Sequence, residues 1–311
     1  MRVIDYVSAF ALLTLTSVTM TLGNKWLMMQ PHLRTHTQVI VASQNLIAVC
    51  ATAIGNLLGI VRISPVTSRQ LQFYSWDAFV LAIQLWTSFK ALRFLSVSAT
   101  TVCRSLAIPI VAWLELVVIG TRIDARRHVC GWLVVAGAFI YAYDDIFHVS
   151  APAEGYLWAL ANLLAFCSNS VLDKIFMSSL DQTASGMAMI TQLISLPISL
   201  AGTAFFEPPK SSEPISEWIL LLEWHAAVAL FLTGALAAAL GRAYAHCYKV
   251  ASATAVTVAG HINKMISILL SALLFGASVT WPQIVGMTLC LGAAFAFSLT
   301  GMRANNSKMK E

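Results

Sequence analysis

Charge is what this sequence lacks. Lys, Arg, Asp and Glu make up 11% of its 311 residues, against 58% for the hydrophobic types. Soluble globular chains carry roughly 25% charged residues, so a water-soluble globule is excluded. The six cysteines (Cys50, Cys103, Cys130, Cys167, Cys247, Cys290) form no C-x-x-C pair and no Cys/His cluster with zinc spacing. They fall in or at the ends of apolar runs and read as small packing residues. A phosphate-binding glycine loop of the nucleotide-hydrolase type is also missing, so work powered directly by ATP has no basis. The histidines (His32, His36, His128, His148, His225, His246, His261) are scattered, and no nucleophile, base and orienter come together. Asp144-Asp145 is too little for a carboxylate metal cluster. No catalytic group, metal ligand, cofactor or nucleic-acid partner is expected.

Apolar runs take up nearly all the rest. A span needs about 20 mostly apolar residues, and ten can be drawn, at 3–22, 36–60, 74–93, 98–119, 128–147, 153–175, 183–206, 224–247, 252–275 and 281–301. The predicted fold is all-α: a polytopic membrane protein of ten transmembrane helices. The first run exceeds the roughly 7–15 apolar residues of a signal peptide and reads as a retained span. With the N-terminus in the cytosol, eleven of the nineteen Lys and Arg fall on the cytosolic side, five opposite and three inside spans. That excess places both termini in the cytosol. Acidic residues carry little weight in that rule, so the run Glu207, Glu213, Glu217, Glu223 on the far side decides nothing.

Ten spans divide into five and five, 1–150 and 151–311. Ser98-Ala99-Thr100 opens the fourth span and Ser252-Ala253-Thr254 the ninth; Asn24-Lys25 closes the first and Asp173-Lys174 the sixth. Both matches are five spans apart. An odd number of spans per half makes the halves inverted, the geometry of an alternating-access carrier with a midplane site.

Three cations lie inside spans: Arg104, Arg242 and Lys264. Each costs about 2.5–3.5 kcal/mol at a span centre. Arg104 stands roughly 9 Å of helix past Ser98, and Lys264 roughly 18 Å past Ser252. Across a core of about 30 Å they reach similar depths. Two like charges at one depth call for an anion or a wet cavity. Thr257, Gly260, Lys264, Ser267 and Ser271 recur at spacings of three and four, one polar stripe on an apolar helix. The stripe alone equally suits a small-residue packing seam; the lysine does not. Glu115, three turns past Arg104 on the same face, fits a partner on another helix, a gate or the cytosolic mouth. His261 sits beside the stripe, as a structural or a binding histidine.

Gly260-His261-Ile262-Asn263-Lys264 resembles the G-A-L-N-K motif of Golgi GDP-mannose transporters, in the nucleotide-sugar branch of the drug/metabolite transporter superfamily. Cys103-Arg104-Ser105-Leu106 stands where that family has Phe-Lys-Asn-Leu, with Glu115 and Gly120 following. The resemblance implies an antiporter of the Golgi membrane, not an enzyme. Its cargo would be a cytosolic GDP-sugar, GDP-mannose foremost, against lumenal nucleoside monophosphate. Lys264 would hold the diphosphate, Gly260 would let the nucleotide approach the backbone, Asn263 would brace the motif, and Arg104 would be a second phosphate or gating cation. Thr257, His261 and Arg242 complete the implied substrate-binding set with Thr191 and Gln192. Those two stand where the family's base-reading F-Y-N-N motif ends; here the four residues are Met189-Ile190-Thr191-Gln192. A family tyrosine at the sugar is Val256. The phosphate end is thus kept while the base and sugar ends differ.

UDP-sugar carriers and sugar-phosphate translocators of the same superfamily stay open, as does a non-transporting membrane protein. No long transit segment precedes the first span, against a plastid location. The implied partners are the nucleotide sugar, the monophosphate and the bilayer; a homodimer is compatible with all of this. Asn305-Asn306-Ser307 is a formal glycosylation sequon in the predicted cytosolic tail. It is expected to stay unmodified in a eukaryotic host; a glycosidase-sensitive mass shift lost in Asn305→Gln would overturn this topology.

Overall fold

The computed structural model describes residues 3–30, 37–121, 123–148, 152–206, 223–275 and 279–308. Every element among them is helical: α1 (Val3–Met29), α2 (Thr37–Leu57), α3 (Ser68–Phe94), α4 (Val97–Ser105), α5 (Ala107–Leu114), α6 (Ala125–Tyr141), α7 (Tyr143–His148), α8 (Ala153–Ser179), α9 (Ala184–Phe206), α10 (Trp224–Val250), α11 (Ala253–Phe275) and α12 (Trp281–Lys308). They fall on the ten apolar runs. Eight candidate spans among the described residues are long and apolar enough to cross a membrane; the runs of α3 and α6 complete the ten. Glu207, Glu213 and Glu217, with Arg2, Arg34, Arg122, Lys210, His32, His36 and Lys310, lie outside the described residues.

Two runs are broken, and the sequence says why for the fourth. Pro109 has no N–H to give the carbonyl of Ser105, and α4 ends at Ser105, one residue past Arg104. The run resumes as α5 and closes in a π-turn over Glu115–Ile119, stopped by Gly120 at φ 78°, a left-handed conformation that suits glycine. The fifth run breaks at Ala142, between α6 and α7.

The chain forms two compact units, each drawing on both halves of the sequence. The first comprises 1–10, 83–178 and 247–311; the second 11–82 and 179–246. In the first unit α6 and α12 run antiparallel at close range. Arg127 stacks 4.4 Å over Phe297, Cys290 Sγ donates to the Val134 carbonyl at 3.2 Å, and Gly137 meets Gly286. A Cβ on Gly137 would lie 2.9 Å from both the Cys290 nitrogen and the Gly286 oxygen. In lipid the hydrophobic effect does not press helices together, so small residues that admit close packing do that work.

In the second unit α2 packs along α9, with Asn45 Nδ2 donating to Ser195 Oγ at 3.2 Å. Gln44 Nε2 donates to Asn24 Oδ1 (2.7 Å) and Thr233 Oγ1 (2.9 Å), tying α1, α2 and α10 through one buried node. Asn24, read as half of a repeat match, is thus a packing anchor. Leu27, Ile40, Ala226 and Leu230 form the apolar cluster beside it. The alternating topology is respected inside each unit. The Gln182 amide brackets the backbone of Ser64 (3.0 and 3.1 Å), joining two links assigned to one side. Thr280 Oγ1 donates to Asp144 Oδ2 at 3.1 Å, joining two assigned to the other.

A side chain at Gly286 would drive into the backbone of Gly137 and Tyr141. Gly286→Val is expected to cost about 1–3 kcal/mol, read as a lower thermal midpoint in detergent. Gly292→Ala, with no heavy atom within 4 Å of the added carbon, is the control and should leave the midpoint unchanged.

Candidate functional site

The helix that carries Lys264 is anchored at its start. Glu115 is fully buried, at 0% exposure. Its Oε1 accepts from the Ala253 amide (2.9 Å), and its Oε2 accepts from the Thr254 amide (3.1 Å) and hydroxyl (2.7 Å). A buried carboxylate needs such donors, and a helix N-terminus offers unpaired amides with a favourable dipole. Of the three roles open to Glu115 in the sequence, the structure shows a partner on another helix. Just upstream, Lys174 Nζ donates to the Tyr248 carbonyl at 2.7 Å, at the C-terminal end of α10. The α10–α11 junction is therefore held by a cation on one helix's last carbonyls and an anion on the next helix's first amides.

Eleven residues into α11, Lys264 opens onto a cavity of about 210 Å³ lined by Ser88, Ala91, Thr100, Arg104, Ala159, Asn162 and Lys264. All belong to the first unit. The two cations that the sequence puts at similar depth thus share one space. Lys264 makes no hydrogen bond or ion pair to any described residue. The Arg104 guanidinium lies over the Phe166 ring at 4.9 Å, a cation–π contact that covers one flat face. Room comes from small side chains: Ala91 and Ala159 line the cavity and are buried.

The other expected residues divide. Gly260 is one turn before Lys264 on the same face. His261 and Asn263 are buried, with His261 Nε2 and both Asn263 amide atoms meeting no partner among the described residues. Thr257 donates to the Ala253 carbonyl at 3.0 Å and Ser267 to the Asn263 carbonyl at 2.8 Å. Both hydroxyl hydrogens are spent within α11, as in a packing seam, and neither residue lines the cavity. Thr191, Gln192 and Arg242 belong to the second unit. Gln192 Nε2 donates to the Ala237 carbonyl at 3.0 Å, so its Oε1 can only accept; neither that oxygen nor Thr191 Oγ1 has a partner among the described residues. Arg242 is exposed on α10.

Sequence reasoning missed Ser88, Thr100 and Asn162, and also Phe166. Asn162 carries the one signal that was there to find, a carboxamide in the middle of an apolar run. Seryl and threonyl residues on α3 and α4 are too common to stand out.

Residues 153–299 match the EamA-like transporter family. Over most of its length the chain resembles proteins named GDP-mannose transporter. It is 24% identical to that of Schizosaccharomyces pombe, covering 88% of this chain and 81% of that one. It is 21% identical to that of Yarrowia lipolytica (94% and 93%) and 22% identical to that of Aspergillus niger (93% and 79%). A crystal structure of a protein shares the fold with a TM-score of 0.71 at 15% identity, over 93% of this chain and 98% of that one.

The anchor is testable apart from any cargo. Glu115→Gln keeps the shape but turns an amide group toward donors, so about 2–3 kcal/mol of stability should be lost. A thermal midpoint in detergent equal to that of the wild type would rule out the capping role.

Proposed function

We propose that this chain is a nucleotide-sugar antiporter of the Golgi membrane, exchanging a cytosolic GDP-linked sugar, GDP-mannose foremost, for lumenal GMP. The observation that carries the reading is Lys264 and Arg104 on one cavity, with Lys264 unsatisfied by any described side chain. Cargo phosphates supply the anion that Lys264 lacks among the described residues. Arg104 presents a planar fork suited to phosphate oxygens, and Lys264 a compact, swivelling charge. Without cargo the two cations repel, which disfavours an occluded empty state and couples return to the binding of a second nucleotide. The relatives' printed names support the substrate class. Thr191 and Gln192 retain the base-reading role through their own free oxygens, with Gln192 acting only as an acceptor for a base N–H.

The same reading takes residues 1–150 and 151–311 as inverted five-helix halves. Within each unit the helices that pack closely include pairs five runs apart: α2 with α9, α5 with α11, and α6 with α12. The antiparallel run of α6 and α12 is what inversion requires. The serine match is looser than the sequence suggests, since Ser96 caps α4 and Ser252 caps α11, not the aligned pair Ser98 and Ser252. Both termini are placed in the cytosol by the Lys and Arg distribution. A UDP-sugar carrier is the second reading. It is compatible with the acceptor-only Gln192, because guanine and uracil each present a ring N–H to such a group.

Counterflow in proteoliposomes separates them. Vesicles loaded with GMP or UMP are offered labelled GDP-mannose, GDP-fucose, GDP-arabinose, UDP-galactose and UDP-glucose. GMP-driven uptake of GDP-sugars is expected, and UMP-driven uptake alone would move the assignment to UDP-sugars. Lys264→Gln should abolish exchange while inserting normally; full exchange by that variant would refute the role given to the lysine.

A further inference from the structure

We infer that Asn162 and Ser88 form a hydroxyl-reading subsite beside the two cations, and that the sugar of the cargo, not its nucleoside, occupies it. This rests on the nucleotide-sugar reading above and adds where the sugar lies.

The orientation of Asn162 is fixed by chemistry. Its Nδ2 sits 2.6 Å from the main-chain carbonyl of Gln84 and 3.2 Å from Thr87 Oγ1. A carbonyl oxygen cannot donate, so the amide nitrogen must face it, and the amide cannot be turned over. Asn162 is only 7% exposed and lines the cavity. With Nδ2 spent on α3, Oδ1 is what it offers there. That oxygen has no hydrogen bond to any described residue. Ser88 lines the same cavity, and its hydroxyl likewise bonds to no described residue.

An acceptor in a cationic cavity is out of place if phosphate is all that binds. An ionised phosphate also only accepts, so it would be repelled by Oδ1. Lys264 and Arg104 answer the phosphates; Asn162 Oδ1 answers a donor. A ligand that satisfies both kinds of group within about 210 Å³ carries hydroxyls close to its phosphates. In a nucleoside diphosphate sugar, the hydroxyls next to the terminal phosphate are those of the sugar. Ser88, able to donate and accept, takes a second hydroxyl. The departing nucleoside monophosphate has no sugar beyond its phosphate and leaves the subsite unused. Asn162 and Ser88 are therefore specificity-determining for one direction of exchange.

The test uses the full chain in proteoliposomes loaded with GMP, with labelled GDP-mannose and labelled GMP as external cargoes. Asn162→Ala should raise the half-saturating GDP-mannose concentration about 5–10-fold, the size of one lost hydrogen bond, and leave GMP/GMP exchange at the wild-type value. Ser88→Ala, which breaks no hydrogen bond to a described residue, should raise it about threefold with the same GMP behaviour. Intact GMP/GMP exchange shows that either variant is folded. Equal losses for both cargoes, or no loss for either, would overturn the inference while leaving the nucleotide-sugar reading in place. Exchange of neither cargo by the wild-type chain would overturn both.

Discussion

An ammonium group in the middle of a membrane helix has to be answered, and much of the first unit is arranged around that need. The usual answers are a carboxylate partner or a water-filled space. Glu115, the buried acid of the fourth span, is not available to Lys264, because its oxygens hold the first amides of α11. What remains is space. Alanines at 91 and 159 open it, Phe166 keeps Arg104 to one side, and the lysine is left for something that is not part of the chain. The acid that fixes the helix in position is spent at its first turn, and Lys264 has no hydrogen bond or ion pair to any described residue.

On the proposed reading, phosphate and sugar call on opposite chemistry within one small volume. Cations cannot distinguish one sugar from another, and an amide oxygen cannot hold a diphosphate. In that proposal, splitting the tasks between α4 and α11 on one side, and α3 and α8 on the other, lets charge set the strength of binding while neutral groups set its selectivity. Substitutions among the neutral groups could change the sugar without touching the phosphate grip, which fits a sequence that keeps the phosphate end of a family motif and departs elsewhere.

Much of this was legible in the residues. The ten apolar runs appear as helices, and the depth argument for Arg104 and Lys264 needed only helical rise and bilayer thickness. Pro109 could have announced the break after Ser105. What lay hidden depends on partners far along the chain. Glu115 is a cap only because the start of α11 folds against it. Thr257 looked like a cavity residue because its spacing puts it on the stripe, but spacing does not reveal a hydroxyl already bonded to its own helix. Asn162 could have been noticed as polar; which of its two amide atoms is free is decided by a carbonyl on another helix.

The contacts that join distant parts of the first unit also set an order in time. Glu115 and its acceptor-seeking amide at Ala253 are 138 residues apart. At about 5–20 residues per second of synthesis, roughly 7–28 s pass before α11 exists. Through that interval the fourth span carries a carboxylate with no amides to bind, and the glycine face of α6 has no α12 to close it. Until the ninth span arrives, that acid has only water to take the place of those amides. The first unit is thus completed only after the helix that carries Lys264 and the one that follows it have been made, and a chain stopped before Ala253 lacks the amides that Glu115 binds.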